Sequence, residues 1–481
     1  MLRQICVGLF TILMIISVKA ETRPAPAREF RAVWIATVDN IDFPTVKNLT
    51  IDEQKAELIK DLELAKSLRM NAVIFQVRPM CDALYESRIE PWSEFLTGEM
   101  GKSQAFDPLK FIIEEAHKRG ILVHAWFNPY RAYHPAAKTV SENHISKRRP
   151  DLVRKYGNYL WLDPSDQEVQ EYSLSVVLDV VRRYDIDGVH FDDYFYPYPI
   201  SENGAKVEFP DDKNWNEYLK TAAQMSQNGV RRIPLSRAEW RRTNVNNFIE
   251  SVGREIKKIK PEVLYGISPF GVADVNYTEL YADAEKWLKD GTIDYLTPQL
   301  YWKIDRKTRE FPLLLKFWES KNAKKRHVWA GIGTYKLGEA KENFSSTEII
   351  DQISLSREIQ STSGNIQFSF KSLRSDFDGI QKALREKSYR RNAIIPQSNW
   401  IKTPKILAPK VKITRNEQQV RTNWTEQGQR KAFWFIIYAK DKNGWSYSIL
   451  PATEKSISLS ADRKIEKIIV TSVDRLGNES K

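Results

Sequence analysis

The sequence has 481 residues, which is too long for one ordinary domain and suggests two or three. Hydrophobic residues make up 42% of the chain and charged residues 28%, a balance typical of globular domains with sizeable cores and not of a disordered chain. The net charge of +12 is spread along the sequence instead of being concentrated in one block, and it favours polyanionic partners.

Residues 1–20 have the pattern of a secretory signal peptide. Arg3 supplies the positive charge, residues 7–18 the apolar run, and Ala20 the last position of a small-residue cleavage site. The apolar run is too short to span a bilayer comfortably, so we expect no stable membrane span after cleavage. Only Cys81 then remains, without a disulfide partner. The pattern predicts a periplasmic or extracellular protein and argues against a nucleic-acid partner.

Eight apolar runs recur over residues 28–395, with helical segments between them. Several are near-continuous apolar stretches, which is typical of parallel strands covered on both faces. This alternation predicts a closed (β/α)8 TIM barrel better than an open doubly wound sheet. No GxGxxG motif follows a strand, so no dinucleotide cofactor is predicted. The predicted strands are Phe30–Val38, Asn71–Pro79, Ile121–Tyr130, Ile186–Tyr196, Val263–Gly271, Ile293–Trp302, His327–Lys336 and Gly364–Leu373.

Helix-start signals separate several of these strands. The predicted N-terminal caps are Thr50 with Glu53, Asp107 before Pro108, Asp163 before Pro164, and Ser345 with Glu348. Two connections are long: residues 133–159 follow the third strand and residues 197–244 follow the fourth. Insertions after barrel strands lie at the C-terminal face, where barrel enzymes keep their active sites.

The last part of the chain, residues 403–481, has short strand patterns and no helix signal. Prolines mark a linker before it, and Asn443-Gly444 predicts a tight turn between two strands. The stretches FWFIIYAKDKNG and IIVTSVDRLGNES resemble a fibronectin type III module. We therefore expect a small all-β sandwich after the barrel.

The fourth predicted strand carries the densest set of chemically active residues, DGVHFDDYFYP at 187–197. Because side chains alternate along a strand, His190, Asp192 and Tyr194 share one face, and Asp193 joins them only if the strand ends at Asp192. A carboxylate at the C-terminal end of an inner barrel strand suits glycoside hydrolysis, because the oxocarbenium-like transition state needs a fixed negative charge beside it. The alternative is a carboxylate that only binds a neighbouring strand or caps a helix.

DGVHFDDYFYP resembles a signature of the glycosyl-hydrolase-like family of bacterial (β/α)8-barrel proteins that includes the peptidoglycan glycosidase DigH. Other motifs of that family are similar and come in the same order, from Phe30 to about Lys387: FRAVWIATV, FQVRP, HAWFNPYR, WLDP, EWRR and TPQLYW. The resemblance implies a glycoside hydrolase without a cofactor. It also implies peptidoglycan glycan strands stripped of peptide as the leading substrate class.

The general acid is not assigned by these motifs. A more distant likeness to the chitinase motif DxxDxDxE puts Tyr194 where the chitinase has its acidic Glu, and an ordinary tyrosine is a poor acid toward a sugar oxygen. Asp193 and Glu239 are the candidate acids, although Glu239 has a salt bridge to a nearby arginine as its alternative. Asp42 and Asp305 are weaker candidates near other strand ends.

Other strand ends carry amide, guanidinium and aromatic groups that suit sugar hydroxyls and sugar faces. Arg78 has an internal ion pair as its alternative, and for Trp126 and Trp302 the alternative is core packing. Arg78 and Arg131 also suit the lactyl carboxylate of muramic acid. The six histidines show no metal-ligand spacing, so no metal is predicted. The predicted substrate-binding residues are Arg78, Trp126, Asn128, Arg131, His190, Tyr194, Gln299, Tyr301 and Trp302.

Together these features predict a secreted glycoside hydrolase of a wall-type polysaccharide, with Asp192 as nucleophile or charge stabiliser. Two other readings stay open. The missing chitinase acid is compatible with a non-catalytic carbohydrate-binding receptor on a degenerate barrel. The same motifs would also serve a glycosidase for dietary or host glycan.

Overall fold

The computed structural model describes residues 23–227, 233–339, 341–342 and 344–481. The predicted signal peptide therefore lies outside the described residues. Within these ranges, none of the helices has both the length and the apolar character needed to cross a membrane.

Parallel strands close into a barrel, as predicted. Each strand pairs with the next along the chain, and the last pairs with the first. The seventh strand is interrupted at Trp329: its first segment pairs with the sixth strand and its second with the eighth, which completes the ring. The strands are β1 Phe30–Ile35, β2 Ala72–Arg78, β3 Leu122–Phe127, β4 Gly188–Phe191, β5 Leu264–Ile267, β6 Tyr295–Leu296, β7 His327–Val328 with Ala330–Ile332, and β8 Gly364–Gln367.

The structure confirms three of the four predicted helix caps. Thr50 forms its complete capping box, Asp107 caps the helix that begins at Pro108, and Ser345 accepts a hydrogen bond from the Glu348 backbone. The prediction for Asp163 was wrong, because Asp166 caps the following helix while the buried Asp163 accepts hydrogen bonds from Ser165. The helices are α1 Ile51–Ser67, α2 Glu94–Thr97, α3 Pro108–Lys118, α4 Ile145–Arg148, α5 Gln167–Arg183, α6 Asp212–Gln227, α7 Arg237–Ile259, α8 Ala273–Thr278, α9 Ala284–Asp290, α10 Phe311–Ser320, α11 Ser346–Ile359, α12 Phe370–Arg374 and α13 Ile380–Ala383.

The barrel strands bury both of their faces in two different cores. Alternate residues point inward and outward, so Val189 and Phe191 of β4 belong to the core between strands and helices. Trp34, Trp126 and Tyr295 belong to the core inside the barrel. His190 lies between the two outward residues in sequence, so it faces the barrel interior.

The two long connections fold over the C-terminal ends of β3 and β4. The first forms a three-stranded antiparallel sheet of Arg131–Tyr133, Val153–Tyr156 and Tyr159–Leu162. The second contains a short hairpin, Ser201–Glu202 with Ala205–Lys206, followed by α6 and the start of α7. Both connections surround the end of the barrel where the predicted site residues lie.

The C-terminal module is a β-sandwich of two three-stranded antiparallel sheets, as predicted. It packs at the end of the barrel where the strands begin: Trp434 Nε1 donates to the Gly120 carbonyl oxygen at 2.9 Å, and Arg475 binds Asp185 through two hydrogen bonds of 2.6 Å. The apolar core inside the barrel continues into this interface. The strands are Lys410–Arg415, Gln419–Thr425, Trp434–Asp441, Gly444–Pro451, Ser456–Ser460 and Lys467–Val473.

Candidate active site

Asp192 is the first residue after β4, at the C-terminal mouth of the barrel. Its carboxylate accepts hydrogen bonds from Trp126 on β3 and from Asn128, which directly follows β3. Trp126 Nε1 donates to Oδ2 at 3.1 Å, and Asn128 Nδ2 donates to Oδ1 and Oδ2 at 3.3 and 3.4 Å. Since Trp126 belongs to the core inside the barrel, Asp192 is turned toward the barrel axis and not into the helical layer.

Asp193 also lies at the mouth, because β4 ends at Phe191 and strand alternation no longer governs the residues that follow. The Tyr198 hydroxyl donates to Asp193 Oδ2, and the Gln299 side chain also donates to this carboxylate. Gln299 follows β6, so hydrogen bonds from two different parts of the mouth hold Asp193 in place.

The two carboxyl groups are buried and interact electrically. Burial raises the pKa of Asp192 to about 7, with a further increase from the neighbouring Asp193 charge and opposing effects of Arg131 and Trp126. Burial also raises the pKa of Asp193, against the lowering effect of Tyr198. Adjacent like charges in a poorly solvated site resist double ionisation, so the pair holds a proton close to neutral pH.

Arg131 places a positive charge beside this pair. Its Nε donates to the Pro79 carbonyl oxygen at 3.0 Å, and its guanidinium carbon lies 5.2 Å from the centre of the Tyr194 ring. The Arg131 charge lowers the pKa of both Asp192 and Asp193. Burial raises the pKa of Tyr194, which makes this tyrosine an even weaker acid than it is in water.

A chain of hydrogen bonds lies below the carboxylates inside the barrel. Trp34 Nε1 donates to His190 Nε2 at 3.1 Å, so His190 Nδ1 carries the proton and donates to the Tyr295 hydroxyl at 3.0 Å. That hydroxyl donates in turn to His124 Nδ1 at 2.8 Å. Burial lowers the pKa of His190 well below its usual range, so it is a neutral structural residue.

Comparison with known proteins shows the family to which this chain belongs. The family model described as glycosyl hydrolase-like 10 matches residues 29–347. The chain belongs to this family. It is 38% identical to the glycosyl hydrolase YngK of Bacillus subtilis over 97% of this chain and 95% of that protein. It is 34% identical to the glycosyl hydrolase DigH of Escherichia coli K12 over 72% of this chain and 84% of that protein.

Among solved structures, the glycoside hydrolase domain of PgaB from Bordetella bronchiseptica is similar at a TM-score of 0.47 and 11% identity. That similarity covers 76% of this chain and 100% of that domain. The family match confirms the prediction of a glycosyl hydrolase-like protein and of an enzyme of that class. The particular glycan stays a prediction.

In this glycosyl hydrolase-like 10 chain, Arg78 has a structural position and not the predicted sugar contact. It is 1% exposed, and its Nε donates to both carboxylate oxygens of Glu90 at 3.0 and 2.8 Å. Its terminal nitrogens donate to the Asn128 carbonyl oxygen and to Cys81 Sγ. Arg78, held in place by Glu90, therefore fixes the backbone at Asn128. The Asn128 side chain in turn donates to Asp192.

We expect Arg78→Ala to lower the free energy of unfolding by about 3–5 kcal/mol, because it leaves the Glu90 carboxylate buried without its partner. Urea denaturation measures this loss. Lys118→Ala is the control, since Lys118 forms an exposed ion pair with Glu115 and should cost less than about 1 kcal/mol. Equal losses of unfolding free energy in the two variants would show that the Arg78–Glu90 ion pair does not support the fold.

The other candidate acids lie in structural roles. Glu239 is exposed and closes the N-terminal capping box of α7, where it accepts hydrogen bonds from Ser236, so the prediction of an acid at this position is corrected. Asp42 is fully buried and accepts hydrogen bonds from the Ser369 hydroxyl and the Lys371 backbone at the start of α12. Asp305 lies in an exposed turn before α10. Asp193 is therefore the candidate acid that the structure places beside Asp192.

Three predicted substrate-binding residues follow β6, and two of them lie close to Asp193. Gln299 donates to Asp193, and the neighbouring Tyr301 is close enough for the Asp193 charge to raise its pKa, together with burial as the main cause. Trp302 is 8% exposed, and its ring packs edge-on against Phe270 at 5.4 Å. The role of Trp302 as a sugar platform stays a prediction.

Sequence reasoning missed Tyr198, the hydroxyl donor to Asp193, and Trp34, which fixes the His190 tautomer. The aromatic run directly after Asp192 and Asp193 was the available signal for Tyr198. No group of three or more His, Cys, Asp or Glu residues within the described ranges is arranged to hold a metal ion.

Proposed function

We propose that this chain hydrolyses glycosidic bonds in a wall-type polysaccharide, with peptide-free peptidoglycan strands as the substrate. The observation that carries the reaction is the pair of buried carboxyl groups, Asp192 and Asp193, at the mouth of the barrel. Glycoside hydrolysis needs two such groups, one protonated to assist the leaving oxygen and one ionised to stabilise the sugar cation.

The contacts of each carboxyl favour a division of roles. Both oxygens of Asp192 accept hydrogen bonds from Asn128, one also accepts from Trp126, and Asp192 comes directly after β4 with its carboxyl turned toward the barrel axis. We infer that Asp192 is the charged group beside the anomeric carbon. Asp193 is then the general acid, which donates the proton that the pair retains to the leaving oxygen. Because the two groups titrate together, this proton belongs to the pair.

The proposed substrate rests on two further features. Arg131 adjoins the carboxyl pair and suits the lactyl carboxylate that muramic acid carries, since a guanidinium binds a carboxylate through paired hydrogen bonds. Residues 1–20 support export to the compartment where wall glycan is found. Sequencing the N-terminus of protein secreted from cells tests the export step, and a mature chain beginning at Glu21 is the expected result.

The direct test is incubation of the protein with peptide-free peptidoglycan strands, chitin oligomers and neutral glycans, followed by mass analysis of the products. We expect cleavage of the peptidoglycan strands by the natural chain and none by Asp192→Asn, with binding retained in the variant. Cleavage of a neutral glycan alone would replace the proposed substrate. Binding without any cleavage by the natural chain would identify a carbohydrate receptor.

The pH dependence of turnover follows from the raised pKa of Asp192. The folded pair keeps a proton up to about pH 7, and this proton is lost as the pH rises further. Since the reaction needs one protonated carboxyl group, we expect kcat to fall as the pH rises through about 7. Rates measured from pH 5 to 9 test this, and a rate that stays constant to pH 9 would remove the carboxyl pair from the proton transfer.

We expect Tyr198→Phe to change the pH at which kcat falls. The Tyr198 hydroxyl donates to Asp193 and lowers its pKa, so its removal raises that pKa further. We expect the fall in kcat to shift to higher pH in this variant. Tyr335→Phe is the matched control, because its ring packs against Tyr301 and its hydroxyl has no role in the pair. A shift of equal size in both variants would contradict the assignment.

A further inference from the structure

A polar cavity lies at the opposite end of the barrel from Asp192. It has a volume of about 630 Å³ and is lined by residues at the start of β1, by Ser363 just before β8, and by the segment 387–391 after α13. None of these residues belongs to the carboxyl pair or to its supports. The cavity therefore has no role in the proposed hydrolysis.

The lining of this cavity is strongly cationic. Six basic side chains and a single carboxylate line it: Glu29 against Arg28, Arg31, Arg357, Lys387, Arg390 and Arg391. Glu29 is buried and is already shared by two of them, since Arg31 Nε donates to its Oε2 at 2.6 Å and Arg357 Nε donates to its Oε1 at 2.8 Å. Arg28 forms an ion pair of 3.4 Å with Glu479 of the C-terminal module, so the three arginines of the floor exceed their carboxylate partners by one positive charge.

The rim adds three charges that nothing in the described part of the chain neutralises. Lys387, Arg390 and Arg391 are exposed and form no ion pair with another described residue. Two further basic residues lie shortly before the rim in the chain, Lys382 on α13 and Arg385 in the turn after it, together with the acidic Glu386. Folding gains nothing from so many like charges in one place, because they repel each other.

We propose that this cavity and its basic rim bind the phosphate groups of a soluble anionic phosphate polymer. Guanidinium groups match phosphate oxygens through paired hydrogen bonds, and five of the six basic lining residues are arginines. A recess about the size of a small-ligand site receives one phosphate-bearing unit, and the exposed rim residues bind the neighbouring units.

The surroundings favour a soluble polymer over a membrane surface. Binding to a bilayer is strengthened by exposed apolar side chains that enter the interface. None of the large exposed hydrophobic residues in the described ranges lines this cavity. The site would hold the enzyme on an anionic matrix while the opposite face of the barrel remains open to glycan.

Binding of the full chain to long-chain inorganic polyphosphate tests the proposal at 0.15 M salt. The test variant is K387E/R390E/R391E, which changes three exposed residues. The matched control is K405E/K410E/K412E, which makes the same change in net charge at exposed lysines on the C-terminal module and its linker. Orthophosphate and vesicles with and without anionic lipid serve as competing probes.

We expect the rim variant to lose at least tenfold in affinity for polyphosphate and the control to lose less than about twofold. Glycan cleavage should be unchanged in both variants, which separates this site from the proposed activity. Three results would each overturn the proposal: no binding by the natural chain, equal losses in the two variants, or stronger rim-dependent binding to anionic vesicles than to polyphosphate. Rim-dependent binding of orthophosphate that polyphosphate cannot displace would also overturn it, because it indicates a single-phosphate site.

Discussion

Replacing Asp193 with Asn is expected to abolish most cleavage of a natural glycan while sparing an aryl glycoside with a good leaving group. The natural leaving oxygen must be protonated, and loss of a general acid costs about 10²–10⁴-fold in rate. An activated phenolate leaves without a proton, so we expect the rate of aryl glycoside cleavage to fall less than about tenfold in Asp193→Asn. Steady-state kinetics on both substrates measure the difference.

Asp192→Asn is the matched comparison, because the two residues are neighbours and the chemical change is the same. Loss of the charge beside the anomeric carbon removes stabilisation that every leaving group needs, so both substrates should slow by about 10²–10³-fold or more. If Asp192→Asn spared the activated substrate and Asp193→Asn did not, the two roles would have to be exchanged. Full activity of both variants on glycan would exclude the pair from catalysis.

The second large effect is expected at the contact between the barrel and the C-terminal module. Trp434 is 3% exposed, donates to the Gly120 carbonyl oxygen, and belongs to the same apolar core as Phe30 and Trp329 of the barrel. We expect Trp434→Ala to lower the free energy of unfolding by about 3–5 kcal/mol, the usual cost of removing a buried tryptophan. The barrel should lose stability together with the module.

Cys81 provides a probe that reports on the barrel alone, since it is fully buried there and is the free cysteine of the described residues. The urea concentration at which its thiol becomes reactive should fall in Trp434→Ala. Trp445→Ala is the control, because Trp445 is only partly buried at the edge of the same core. An unchanged Cys81 midpoint in Trp434→Ala would show that the module and the barrel unfold independently.

Much of the fold could be predicted because its signals are local. Near-continuous apolar runs mark strands that are buried on both faces, and caps such as Thr50 and Asp107 satisfy the first backbone groups of a helix within a few residues. The cap at Asp163 was misplaced because Asp163 and Asp166 offer the same local signal. Only the folded chain separates them, because it gives Asp163 a hydrogen bond from Asn214 at 3.0 Å and an ion pair with Arg154 at 3.3 Å.

The residues of the site were harder to predict, because their roles depend on partners that are distant in sequence. Arg78 and Arg131 are the same residue type at the ends of adjacent strands. Arg78 binds Glu90 in the loop after its own strand, whereas Arg131 adjoins the carboxyl pair. Glu239 was read as a candidate acid from its motif, yet its distance of three positions from Ser236 is that of a capping box.

The sequence by itself determined the closed barrel, the β-sandwich after it, and the position of Asp192 at the end of an inner strand, since these follow from hydrophobic period and strand alternation. Only the tertiary structure decided which second carboxyl group joins Asp192. That choice depends on where β4 ends, because a strand that continued through Asp193 would turn its side chain outward. It depends equally on Tyr198 and Gln299, whose hydrogen bonds to Asp193 exist only once the mouth of the barrel has closed.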